Sequence, residues 1–159
     1  MNTVVVTGIR QLSDGSFPVG TMVAFGKTLR TSCIIINRFE RGLSILYSEP
    51  SGKPYQPLQF PAGIWPIIDC ELSTNPEIAP VFIRTGAHQM VPVWNVENGK
   101  YVSPAGEYCD DWGDGIHFDG MYETTDGCLH LYSADDALWF KGQFDELKEA
   151  GEAVQIAVA

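Results

Sequence analysis

The run Ser133-Ala134-Asp135-Asp136-Ala137-Leu138-Trp139-Phe140-Lys141-Gly142-Gln143-Phe144-Asp145-Glu146-Leu147-Lys148-Glu149-Ala150-Gly151-Glu152-Ala153-Val154-Gln155-Ile156-Ala157-Val158 decides the fold class, because its apolar period changes part-way. Ala137, Phe140, Phe144 and Leu147 recur at spacings of three and four, which puts them on one face of a helix. Ser133 precedes Asp136 by three positions, the form of a capping box at a helix N-terminus. Gly151 suits the left-handed residue just past a helix end. Val154, Ile156 and Val158 then alternate, the period of a strand. The reading is one late helix followed by a closing strand.

Working back from that run, no second helical period is found. Short apolar or β-branched stretches occur at Val4–Val6, Met22–Phe25, Cys33–Ile36, Leu43–Tyr47, Pro61–Asp69, Val81–Arg84, Gly115–Phe118 and Gly127–Leu131. Arg38–Gly42 and Asn75–Pro80 read as turns, Ser48–Pro57 as a loop, and Asn95–Asp114 as loop-heavy. Pro66 lies inside a strand pattern and is expected at an edge or a bulge, because it cannot donate to a ladder. The 16 Gly and 10 Pro are spread along the chain, as many short strands joined by turns require. At 159 residues the chain has the size of a single domain, so the expected fold is mainly β, a sandwich or barrel over 1–159 with one helix in the C-terminal region.

Charge narrows the function classes. Twenty acidic residues against 10 basic ones give a net charge of −10, which excludes the basic footprint a nucleic-acid partner needs. The longest apolar stretches, around Cys33–Ile36 and Ile64–Ile68, are far shorter than the roughly 18 residues of a membrane span, so none is expected. Met1-Asn2-Thr3-Val4-Val5-Val6 has neither a basic run nor a long apolar core, so no secretory signal is read and synthesis in the cytoplasm is expected. The four cysteines, Cys33, Cys70, Cys109 and Cys128, form no C-x-x-C pair and are read as free thiols.

The chemistry concentrates in Gly115–Leu131. A Cys directly after a Gly, with His117 and His130 nearby, has the parts of a thiol nucleophile and its base. If Gly127–Leu131 is a strand, Cys128 and His130 face one way while Leu129 and Leu131 face the core. Ile116 and Phe118 would likewise be buried opposite His117, leaving the reactive side chains on a common open face. Asp110, Asp111, Asp114 and Asp119 around Trp112 lack the spacing of an EF-hand loop and read as a solvated acidic rim. Their functional alternative is to meet the amine ends of a peptide, with Asp119 orienting His117. His88 reads as a loop histidine, and Trp139 and Phe140 as core. No metal and no cofactor is expected.

The segment Ile116-His117 … Thr125-Asp126-Gly127-Cys128-Leu129-His130-Leu131 resembles the signature of L,D-transpeptidases of the YkuD family: a His on one strand, then Ser/Thr-His-Gly-Cys, a hydrophobic residue, and Arg or Asn. Phe60-Pro61-Ala62-Gly63-Ile64-Trp65-Pro66-Ile67 is similar to the family's early Pro-x-Gly-x-(aromatic)-x-Ile strand. Val91-Pro92-Val93-Trp94-Asn95 resembles its Met-Pro-(aromatic) segment, and Ser133–Gly151 its helix before a closing strand. The likeness covers 60–159. It implies a peptidoglycan-active cysteine enzyme with Cys128 as nucleophile, His117 as base and Gly127 beside the oxyanion. It also places Thr125, Asp126, His130, Asp119 and Trp94 against a stem-peptide substrate. Asp126 stands where the family has its second His, His130 where it has Arg or Asn, and the gap from His117 to Thr125 is short. Those departures imply the alternative of a degenerate structural or wall-binding module, such as a phage virion component that contacts other virion proteins. A phage-encoded enzyme released by lysis, carried in a virion or delivered to the periplasm would reconcile a wall substrate with the missing signal.

Overall fold

The computed structural model describes residues 2–35, 57–92, 94–95, 100–101, 108–111 and 113–159. Among the described residues, fourteen strands and one helix follow in chain order: β1 (Asn2–Thr7), β2 (Gly20–Ala24), β3 (Lys27–Ser32), β4 (Ile34–Ile35), β5 (Gly63–Leu72), β6 (Val81–Thr85), β7 (Met90–Pro92), β8 (Trp94–Asn95), β9 (Lys100–Tyr101), β10 (Tyr108–Asp110), β11 (Gly115–Phe118), β12 (Thr124–Thr125), β13 (Leu129–Leu131), α1 (Ala134–Glu149) and β14 (Val154–Val158). The expected turn at 38–42, the strand at 43–47 and most of the loop at 48–57 lie outside the described residues.

Eight strands close into a barrel in the order β1-β14-β5-β6-β11-β13-β3-β2. Closure removes the free edges that an open sheet would expose. Neighbours run antiparallel except β1 with β14 and β11 with β13. The described residues adopt the expected mainly β fold with one late helix. Alternation along each strand fills the core: Val4 and Val6, Met22 and Ala24, Val81 and Ile83, Leu129 and Leu131 are all fully buried. Among the described residues no helix is long and apolar enough to cross a membrane.

One barrel strand has no counterpart in the sequence reading. Lys27-Thr28-Leu29-Arg30-Thr31-Ser32 is polar at most positions, yet it forms β3, with Leu29 and Thr31 turned inward. It returns from β2 through Phe25 and Gly26, both at positive φ (51° and 79°), the backbone of a tight hairpin turn. Phe25 tolerates that conformation where its ring packs 5.0 Å from Phe140 and 6.0 Å from Trp139.

Pro66 sits within β5, paired through β14 with Gln155. Its carbonyl accepts the Gly86 N–H at 2.9 Å, so its donor-less nitrogen also points toward β6, past Thr85 where that strand has ended. The ladder bulges immediately afterwards, between Ile67 and Asp69.

Helix α1 is capped by Ser133, whose hydroxyl accepts the Asp136 N–H at 3.2 Å. The reciprocal half of the capping box is replaced, because the Asp136 carboxylate pairs with Lys27 Nζ at 3.0 Å. Gly151 takes φ +76° just past the helix, and its N–H returns to the Lys148 carbonyl. The buried face is Ala137, Phe140 and Phe144, and the helix packs on β5, β6, β11 and β13. It therefore braces the strands that carry the candidate site.

Candidate active site

The parallel pair β11 and β13 sets the site. Register places Ile116 beside Leu129, His117 beside His130, and Phe118 beside Leu131. Ile116, Leu129 and Leu131 are fully buried in the core. His117 and His130 lie on the opposite face, in a row that runs Phe82, His117, His130, Ser32 across four strands. Cys128 comes one residue before β13, and its sulfur accepts the Gly115 N–H at 3.2 Å. Gly115 lies two residues before His117 on β11, but the N–H that meets the sulfur points along the sheet: the groups that act on the Cys128 thiol are Asp114, Cys33 and Asp126, whereas His117 has Asp119, Phe82 and His130 about it.

That face is covered, which corrects the expectation of an open one. His117 is 7% exposed and His130 is 3% exposed, whereas Cys128 is half-buried. Burial lowers the proton affinity of both imidazoles, and at His130 the neighbouring His117 lowers it further. His117 Nδ1 lies 3.4 Å from the Phe118 carbonyl oxygen. His130 packs edge-on against Tyr132, with ring centroids 4.6 Å apart.

The turn before Cys128 is tied to itself. Thr125 Oγ1 donates to the Cys128 carbonyl at 2.7 Å and accepts the Gly127 N–H at 3.3 Å. Thr125 thus acts on the backbone of the turn that carries Cys128, and the Gly127 amide is engaged within that turn. Gly127 has φ +131°, and a Cβ there would stand 2.3 Å from Asp114 Oδ1 and 3.0 Å from the Leu58 carbonyl. Only glycine fits both the conformation and the space. Its carbonyl accepts the Cys33 thiol at 3.2 Å, and Cys33 Sγ in turn accepts the Phe60 N–H.

Two residues that sequence reasoning set elsewhere therefore belong to the site. Cys33 reads as an ordinary core thiol, and no local pattern marks it. Asp114 reads as part of a solvated rim, yet it is 4% exposed, lies against Gly127, and its charge reaches Cys128. The signal that would have found it is its position three residues ahead of His117, next to Gly115. Burial first, then the Asp111 carboxyl, then Asp126 and Asp110 push Asp114 up to about 9. Burial also pushes the Cys128 thiol up, with Asp114 adding to it and the Gly115 N–H opposing. Cys33 and Cys70 are raised to about 12, mainly by burial.

Asp119 is buried as well, so it is no rim residue either. Its Oδ1 accepts the Met121 and Tyr122 N–H groups at 2.7 and 3.0 Å, capping the turn after β11, and its charge favours protonation of both imidazoles. Asp126 is half-buried, and its charge reaches both Asp114 and Cys128. Trp94 lies in a separate two-stranded sheet, paired with Tyr101. His88 is exposed and pairs with Asp110 at 3.3 Å. A shallow cleft of about 370 Å³ beside it, lined by Thr85, Ala87 and Gly113 among others, includes none of Cys128, His117 and His130. Among the described residues no three His, Cys, Asp or Glu side chains are grouped to hold a metal ion.

In comparisons with known proteins, no family model, curated protein or solved structure matches the chain.

Proposed function

We propose that the chain is a peptidoglycan-active cysteine acyltransferase or peptidase of the L,D-transpeptidase type, working on stem peptides through an acyl-enzyme at Cys128. The observation that carries this reading is the register of β11 with β13. It sets the Cys128 sulfur against the Gly115 N–H, two residues ahead of His117 on β11, with His130 paired beside His117.

The electrostatics define how such a pair works. The thiol is pushed toward its neutral form and His117 toward neutral imidazole, so the resting site holds SH and a free base rather than a thiolate–imidazolium pair. His117 takes the thiol proton as sulfur attacks the amide carbon, a general-base step. The tetrahedral intermediate collapses, the amine leaves with the proton from His117, and a thioester remains on Cys128. An acceptor amine then gives a cross-link, or water gives hydrolysis, and the thiol regains its proton.

The test is incubation of the purified protein with muropeptides and mass spectrometry of the products, wild type against Cys128→Ala. Cross-linked or trimmed stem peptides that vanish in the variant support the enzyme. A second reading is favoured by one observation, the separate settings of the Cys128 thiol, beside Asp114 and Cys33, and of His117, beside Asp119, Phe82 and His130. It is a degenerate structural or wall-binding module, for instance in a phage virion. Binding to purified sacculi without any product, unchanged in Cys128→Ala, selects that reading.

A further inference from the structure

Asp114 is placed with unusual firmness for a residue in a loop. Its N–H donates to the Ala87 carbonyl at 2.8 Å, and its carbonyl accepts the Thr85 hydroxyl. Thr85 Oγ1 also accepts the Ala87 N–H at 3.1 Å, so both sides of the backbone are pinned to one corner. The side chain enters the space left by the missing Cβ of Gly127. Asp114 Oδ2 is buried and receives no hydrogen bond from any described group. A buried carboxylate oxygen without a donor is costly, so such an atom calls for a proton or a partner.

The neighbour that meets it is another acid. Asp111, three residues earlier, carries the carboxyl whose charge acts most on Asp114, and two neighbouring carboxyl groups are not readily ionised together, so the pair is eased by holding one proton between them. Asp111 Oδ1 already accepts the Gln89 and Gly113 N–H groups, each at 3.0 Å, which suits it to be the acceptor of the pair. The shared proton therefore belongs to Asp114. Among the described residues, the other titratable groups that interact with Asp114 are Asp110 from β10, Asp126 from the turn after β12, Cys128 itself, and Cys33 after β3. None of these supplies a compensating positive charge.

We propose that Asp114 is a positioning residue for the nucleophile: it shares one proton with Asp111 behind Cys128, and that proton keeps negative charge away from the sulfur while the thiol gives its own proton to His117. The proposal rests on Cys128 being the nucleophile of the reaction above. Its consequence is an alkaline cut-off. An isolated thiol reacts faster as pH rises through its ionisation. Here Asp114 ionises first, near pH 9, and its new charge then opposes the thiolate.

Iodoacetamide alkylation of Cys128, followed peptide by peptide by mass spectrometry from about pH 7 to 11, reads this directly. In the wild type the rate stops rising near pH 9. In Asp114→Asn it continues to rise, and at about pH 10 it exceeds the wild type about tenfold, the equivalent of one pKa unit. Asp111→Asn removes the partner charge, so Asp114 ionises earlier and the break moves to lower pH. This second variant leaves Asp114 in place and keeps the test decisive if Asp114→Asn does not fold. A merely structural role for Asp114 would leave the break where it is, so superimposed profiles for the wild type and the folded variants overturn the proposal. Stem peptides play no part in this readout. The break without muropeptide products overturns the proposed reaction alone, and products without the break overturn the dyad alone.

Discussion

His117 and His130 stand side by side across the parallel ladder of β11 and β13, and the protein buries both. Two imidazoles at that separation cannot easily be charged together. Their proton affinities in the folded state lie below the ordinary value near 6.5, whereas in the unfolded chain they return to it. Below pH about 6.5 the unfolded state therefore binds more protons than the folded one. The pair contributes stability that is present above that pH and lost as pH falls through the folded values. The thermal midpoint should drop between about pH 7 and 5, and His117→Gln/His130→Gln should flatten the drop. An equal slope in that double variant would assign the acid sensitivity to other groups.

The two histidines should differ in catalysis. His117→Ala should slow acylation about 10²–10⁴-fold, the usual range for losing a general base. His130→Ala should cost less, because the proposed reaction takes His117, two residues after the Gly115 N–H that meets the sulfur, as its base. Pre-steady-state acylation measured by mass spectrometry gives the ranking, and a reversed order would move the base to His130.

Thiol labelling tests access. Cys33 is fully buried and Cys70 is 4% exposed, whereas Cys128 is only half-buried. Limiting iodoacetamide near neutral pH should label Cys128 before either of them, although burial disfavours all three thiolates. Earlier labelling of Cys33 or Cys70 would contradict the accessibility of the site.

Gly127→Ala combines a strained φ with a collision against Asp114 Oδ1 and the Leu58 carbonyl. The cost should be about 2–5 kcal/mol, read as a lowered denaturant midpoint. A double-mutant cycle with Asp114→Ala should show coupling above about 1 kcal/mol, since removing the carboxyl relieves one collision but not the backbone strain. Simple additivity would mean that Asp114 swings clear of the new methyl group.

Asp126→His removes one of the carboxylates whose charge reaches Cys128. Acylation at neutral pH should rise, because a like charge near the sulfur disfavours thiolate formation. Unchanged acylation would show that the burial of Cys128, the larger cause, sets its reactivity alone.

Much of the fold was legible where apolar periodicity is strong. Val4 and Val6, Val81 and Ile83, and the α1 face of Ala137, Phe140 and Phe144 all read directly. Strand β3 was not, because a barrel strand needs only its inward positions apolar, and Thr31 meets that need by donating its hydroxyl to the His130 carbonyl at 2.9 Å. Gly115–Phe118 was read at its observed bounds, while Gly127 and Cys128 proved to be turn rather than strand. The pairing of His117 with His130 follows from strand order, which no local pattern contains. The misplaced group was Asp114. Four acids in a short segment look solvated by composition, and only the packing of Gly127 against one of them shows that it turns inward.

The way β14 enters the barrel has a consequence for synthesis. It lies between β1 and β5, parallel to the first and antiparallel to the second, and both precede it on the ribosome. Until Val154–Val158 emerges, β1 and β5 each present a row of unpaired N–H and C=O groups with no neighbour to take them. A nascent chain stalled after α1 would carry every residue of the Cys128 turn yet leave a slot in its wall one strand wide. That slot is the place where a chaperone, a second stalled chain or a synthetic β14 peptide would add.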